Sequence, residues 1–302
     1  MTATITPVAK HTGATITRPV DGEGAYMDGG TAPLATILQT LADRAQYARG
    51  SAWGNLIGGD EFSVDPGGTS TVFAVRVNAF EAITISDSST VFWPVFTSAD
   101  TVWTLADVEG SPANLANSTW YHCYLTVNTS GVLGRQISTT APNGSRKWKS
   151  TGIDTHRYIG CFRTTATGAP IAVRAVRGRY YYSVSDLGAT ALRVLTGGGA
   201  TSYTDVDLSS LVPLHSRMAE INVYLAPNTA VSTALGGATL RRKGGTVGGV
   251  IGINCGTGAQ WPSAERAVWL ETDTSQDIQY RVSTSTGSDY PSLYLDVLGF
   301  VE

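Results

Sequence analysis

Few residue types able to do chemistry are present, and they are scattered. The cysteines stand at positions 123, 161 and 255, and the histidines at 11, 122, 156 and 215. A cysteine nucleophile needs a histidine facing it. His122 and Cys123 are neighbours in a strand-like segment, so they point to opposite faces. There is no HExxH and no paired Cys or His at short spacing, so the sequence offers no metal site and implies no cofactor. Three cysteines far apart do not make a disulfide framework and read as buried free thiols. The G-x-S-x-G elbow of serine hydrolases is missing too. The run Lys243-Gly244-Gly245-Thr246 lacks phosphate-loop order and has no helix pattern after it, so it reads as a strand–turn.

Carboxylates cluster at Asp60, Glu61 and Asp65 in one loop, and at Asp205 with Asp207 and Glu271 with Asp273, each pair two residues apart. Two apart on a strand means one shared face. Such pairs serve glycan cleavage or calcium, but a solvated edge is their ordinary use. No catalytic set emerges, and the chain reads as a non-enzyme. Basic residues gather at Arg146-Lys147-Trp148-Lys149, Arg174 to Arg179 and Arg241-Arg242-Lys243. The net charge of -3 speaks against nucleic acid, whose affinity rests on phosphate neutralisation. Aromatic rings beside polar neighbours suit sugars, and Trp120, Tyr124, Trp148 and Trp261 are the candidates for glycan contact.

The elements that must carry these residues are strands. Of 302 residues, 39 are Thr, 26 Ser and 34 Gly, and only 15% are charged. That composition suits many short strands joined by tight turns. Apolar residues make up 42%, enough for a core, with no apolar run of membrane-spanning length. Period-two alternation appears at Phe73–Val77, Tyr121–Val127, Ala219–Leu225, Ile278–Val282 and Leu293–Val297. On the segment 121–127 it sets Tyr121, Cys123, Leu125 and Val127 on one face, with Trp120, His122, Tyr124 and Thr126 on the other. Asp65-Pro66-Gly67-Gly68, Pro142-Asn143-Gly144 and Arg177-Gly178 punctuate as turns.

One helix is expected, over 31–49. Thr31 caps it, Pro33 sits in its first turn and Gly50 ends it. Leu34, Leu38, Leu41, Ala45 and Ala48 follow a heptad spacing, which fits packing on its own domain or a seam between identical chains. Residues 1–30 read as an extended arm. The fold class is therefore all-β: an arm and one short helix (1–50), then two antiparallel β-sandwich, jelly-roll-like domains over 51–187 and 190–302, parted by the glycine-rich stretch near 187–201.

This order of parts resembles the fibre and spike proteins of tailed bacteriophages and phage-like particles. The resemblance rests on the arm with Thr17-Arg18-Pro19-Val20-Asp21-Gly22-Glu23, the short helix and the Thr/Gly-rich β region. Tyr158-Ile159-Gly160-Cys161-Phe162-Arg163-Thr164 and Tyr180-Tyr181-Tyr182 are similar to segments of virion proteins. It implies a homotrimer joined through the Leu34–Ala48 seam. It also implies an arm, residues 1–30, docked on other virion proteins, and β domains that contact host-surface polysaccharide. Location in a virion assembled in the bacterial cytoplasm follows, without membrane insertion. A soluble lectin module, a capsid decoration protein and a glycan depolymerase are the competing readings.

Overall fold

The structure, a computed structural model, describes residues 62–77, 83–86, 92–95, 101–127, 132–144, 148–151, 155–176, 178–183, 191–226, 236–246, 251–255, 264–284 and 291–302. The expected arm and helix, with Leu34, Leu38, Leu41, Ala45 and Ala48, lie outside these residues, as does Trp261.

Among the described residues the chain is nearly all strand and its sheets are antiparallel. The strands begin with β1 (Phe62–Asp65), β2 (Ala74–Val77), β3 (Ile83–Ser86), β4 (Phe92–Val95), β5 (Thr101–Trp103), β6 (Trp120–Val127), β7 (Leu133–Ser138), β8 (His156–Arg163) and β9 (Val173–Val176). They continue with β10 (Arg179–Tyr182), β11 (Arg193–Gly198), β12 (Thr204–Asp207), β13 (Met218–Ala226), β14 (Gly236–Arg242), β15 (Ile251–Cys255), β16 (Ala264–Glu271), β17 (Asp277–Thr284) and β18 (Ser292–Val301). Asp65 thus ends a strand, where the sequence suggested a loop.

Two compact units divide the chain, and neither is continuous in sequence. Of the described residues, the first unit takes those within 76–110 and 122–160, and the second those within 62–75, 111–121 and 161–302. The described part of the stretch near 187–201, residues 191–201, lies inside the second unit. β10, before it, and β11, within it, both pair with β18.

In the first unit β6 pairs with β7, from His122↔Ser138 to Val127↔Leu133. Trp103 and Ile137 are fully buried, and the Trp103 indole N–H donates to the Tyr124 carbonyl at 3.0 Å. Lys149 is buried as well. Its ammonium is satisfied by Glu109 at 2.9 and 3.0 Å and by the Gln136 side-chain oxygen at 3.0 Å. A buried ammonium is tolerated only with such partners.

The second unit holds a large sheet in the order β16-β13-β18-β10-β9-β1, with β11 also on β18, and a smaller sheet β12-β17-β14-β15. β13 pairs along the whole of β18. The opposite edge of β18 is shared: Leu293 to Asp296 take β11, and Gly299 to Val301 take β10. A bulge separates Glu220↔Gly299 from Ile221↔Val297. The extra residue reverses the inward parity of β18, so Leu293, Leu295 and Val297 are buried and then Phe300. Gly299 is required there, because a Cβ would lie 2.0 Å from the Tyr180 carbonyl oxygen. Alternation holds on the small sheet: Val206, Ala238, Leu240, Ile278, Tyr280 and Val282 are buried. Burying each large aliphatic contributes about 1.5–3 kcal/mol relative to leaving it in water.

Candidate functional site

Of the four aromatic glycan candidates, Tyr124 is corrected by the structure. It is wholly buried in the first unit, its hydroxyl donates to the Thr140 carbonyl at 2.7 Å, and its ring packs on Tyr158 at 5.8 Å. No glycan reaches it. β6 is covered on both faces from Tyr121 to Leu125, so alternation there does not separate core from solvent. Trp148, also in the first unit, is partly buried with the Arg157 guanidinium 5.3 Å from its ring centre. Burial lowers the Arg157 pKa to about 10. Trp120 belongs to the second unit and is half-buried. Its indole N–H donates to the Ser209 carbonyl at 3.0 Å, Phe300 meets it edge-on at 5.9 Å, and Arg163 lies 5.8 Å from its ring.

The most developed polar surface in the second unit is the outward face of the small sheet. Asp277, Gln279 and Arg281 point out from β17 between buried Ile278, Tyr280 and Val282. Beside them lie Arg241 and Lys243 at the end of β14, and Asp205 on β12. Lys243 pairs with Asp205 at 2.7 Å and with Asp277 at 2.6 Å. Gln279 donates to Asp205 at 2.8 Å and accepts from Arg241 at 2.8 Å. Hydrogen bonds from Lys243 and Gln279 hold the Asp205 carboxyl below its usual range, and the two carboxylates push the Lys243 ammonium upward. Tyr203, just before β12, lies half-exposed under two cations: Arg241 is 3.5 Å from its ring centre and Arg281 4.8 Å. The sequence flagged Arg241, Lys243 and Asp205 separately. Tyr203 was missed because it stands alone among polar residues.

The other flagged carboxylates have local duties. Asp273 accepts from the backbone N–H of Ser275 (2.9 Å) and Asp277 (2.7 Å), shaping the β16–β17 turn where Gln276 has φ +62°. Glu271 pairs with Arg242 at 3.6 Å on the surface, and Asp207 accepts from the Ser209 N–H. Asp60 and Glu61 lie outside the described residues.

A second cluster in the same unit is buried and had no sequence signal. Cys161 near the end of β8, His215 in the loop after β12 and Glu302 after β18 converge. The Cys161 thiol donates to Glu302 Oε1 at 3.2 Å, and His215 Nε2 lies 2.8 Å from the same oxygen. The Tyr180 hydroxyl donates to Glu302 Oε2 at 3.1 Å. Tyr182 donates to the Leu211 carbonyl at 2.5 Å. Burial, then the neighbouring Cys161, pushes the Tyr182 hydroxyl well up, while Arg163 opposes. Cys123, the other described free thiol, is buried in the first unit and pushed up by desolvation. In the Cys161 cluster the thiol and the His215 imidazole meet the same carboxylate oxygen.

No protein-family model matches the sequence, and no curated protein matches it.

Proposed function

We propose that the chain is a virion structural protein of a phage or phage-like particle, a homotrimeric fibre or spike without catalytic activity. In this reading residues 1–30 dock on other virion proteins and the Leu34–Ala48 seam joins three copies. The β-rich remainder, including a jelly-roll-like sandwich in the second unit, contributes to attachment to host-surface polysaccharide. The observation that carries the attachment part is the outward face of β12, β17 and β14. There an aromatic ring, Tyr203, is fixed beside Arg241, Arg281, Gln279 and Asp205. A ring stacks on the apolar face of a sugar, and prearranged donors and acceptors meet its hydroxyls without first being ordered. The all-β chain, rich in Thr, Ser and Gly, is consistent with a particle protein.

The test combines native mass by light scattering with binding to immobilised host polysaccharide. The expected results are a mass of three times 31.8 kDa and polysaccharide binding that falls at least tenfold in Tyr203→Ala. A monomer that still binds through Tyr203 replaces the fibre by a soluble lectin. A monomer that binds no polysaccharide refutes the reading entirely.

A further inference from the structure

We propose that Cys161, His215 and Glu302 form a site for a single divalent transition metal of the zinc class, independent of the polysaccharide reading. The three side chains offer the mixed sulfur, nitrogen and oxygen donors that such an ion prefers, and all are largely buried. Their donor atoms already converge. Glu302 Oε1 is 3.2 Å from the thiol sulfur and 2.8 Å from His215 Nε2, and the cysteine and histidine ligand atoms lie within 4.8 Å of one another. Tetrahedral coordination with bonds of about 2.3 Å to sulfur and about 2.0–2.1 Å to nitrogen and oxygen places ligand atoms about 3.3–3.5 Å apart. The contact of Oε1 to sulfur therefore opens by about 0.1–0.3 Å and that to nitrogen by about 0.5–0.7 Å when the ion enters.

The elements are held for this task. His215 sits in a loop tied to the end of β18: Ser216 Oγ donates to the Val301 carbonyl at 2.7 Å and Arg217 N–H to the same oxygen at 3.3 Å. The Glu302 N–H donates to the Gly178 carbonyl at 3.0 Å. Tyr180, stacked on Phe300 at 4.5 Å, anchors Glu302 Oε2 and leaves Oε1 for the ion.

Charge balances as well. Binding one divalent ion expels the proton of the Cys161 thiol. The bound set of thiolate, neutral imidazole, carboxylate and dication sums to zero net charge. Burial without net charge avoids the cost that an isolated ion would meet. Proton release makes the affinity rise with pH.

The test uses the full, tag-free chain, stripped with chelator and titrated with Co²⁺ and then Zn²⁺. The expected result is saturation at one Co²⁺ per chain with a thiolate-to-cobalt charge-transfer band, displaced by Zn²⁺. The band is lost in Cys161→Ser. Tyr180→Phe keeps the ring stack but frees Oε2, and it weakens Zn²⁺ binding by about 10–100-fold, as for other groups that orient metal ligands. A folded wild-type chain that takes up cobalt without a thiolate band, or a band that persists in Cys161→Ser, overturns the site. Zn²⁺ affinity unchanged in Tyr180→Phe overturns the positioning of Glu302. Polysaccharide binding by Tyr203→Ala is read separately, so failure of the metal site leaves the attachment reading standing, and the reverse.

Discussion

Arg193→Met is the perturbation whose outcome the structure fixes most closely. Asp296 on β18 is 1% exposed. Both of its oxygens accept from the Arg193 guanidinium, Oδ1 from Nε and Oδ2 from Nη2, the latter at 3.1 Å. The same guanidinium lies 5.1 Å from the Tyr294 ring centre, and the pair with Asp296 raises its pKa. Methionine keeps the stem and removes both hydrogen bonds, so a carboxylate is left buried with its cation gone. Breaking a buried pair from one side costs about 3–5 kcal/mol. The Arg193 side chain is 20% exposed, so water enters after the substitution and the lower end applies, about 3 kcal/mol. For a unit of this size that corresponds to a fall in melting temperature of about 6–12 °C. The double change Arg193→Met with Asp296→Leu removes both charges and is expected to recover most of the loss. Urea unfolding of the single and double variants measures this, with the midpoint shifting and the slope unchanged. A single-variant loss below about 1 kcal/mol, the value of a surface pair, or a double variant no better than the single, refutes the account of Asp296 as a buried, arginine-dependent charge.

Four further outcomes are expected. Gly299→Ala places a Cβ 2.0 Å from the Tyr180 carbonyl oxygen, and thermal melts should show a loss of about 3 kcal/mol or more. Gly199→Ala, with nothing within 4 Å, stays within about 0.5 kcal/mol. In the first unit, hydrogen bonds from Ser138 and then Lys149 hold the Glu109 carboxyl below its ordinary value of 4.5. A depressed carboxyl stabilises the fold above its unfolded value and loses that contribution as pH falls through the folded value. The stability difference between wild type and Lys149→Met is therefore expected to be largest above about pH 4.5 and to narrow on acidification, read from urea midpoints across that range. A gap that widens instead sinks the assignment. Leu38→Asp combined with Leu41→Asp is expected to abolish the trimer in light scattering, and a variant that stays trimeric removes the seam.

Core positions are legible in the sequence where one face of a strand is wet. Ala219–Leu225 and Ile278–Val282 alternate because one side packs inward and the other meets polar surroundings or solvent, and their core positions were plain. That legibility ends where the contrast vanishes. Tyr124 looked like a surface aromatic because β6 alternates polar and apolar types, yet both of its faces are covered. Phe300 stood out of step with Leu293, Leu295 and Val297 because the bulge opposite Glu220 and Ile221 is a pairing event, not a local propensity. Nothing local could join Cys161, His215 and Glu302, whose convergence depends on which strand ends the sheet brings to one place. The polar face of the small sheet was half legible. Arg241, Lys243 and Asp205 were visible as charges, but their union around Tyr203 required the β12-β17-β14 register.

The shared edge of β18 sets a timetable for synthesis. β10 and β11 come off the ribosome long before the strand they both need, and β13 waits for the same partner. Until Ser292–Val301 emerges, each of these strands exposes an unpaired backbone edge and an apolar face. Long-range pairing of this kind folds slowly, on the scale of milliseconds to seconds, and leaves the growing chain open to wrong partners meanwhile. The yield of folded protein should therefore depend on how the cell shields nascent strands, more than on the stability of the sheet once it is closed.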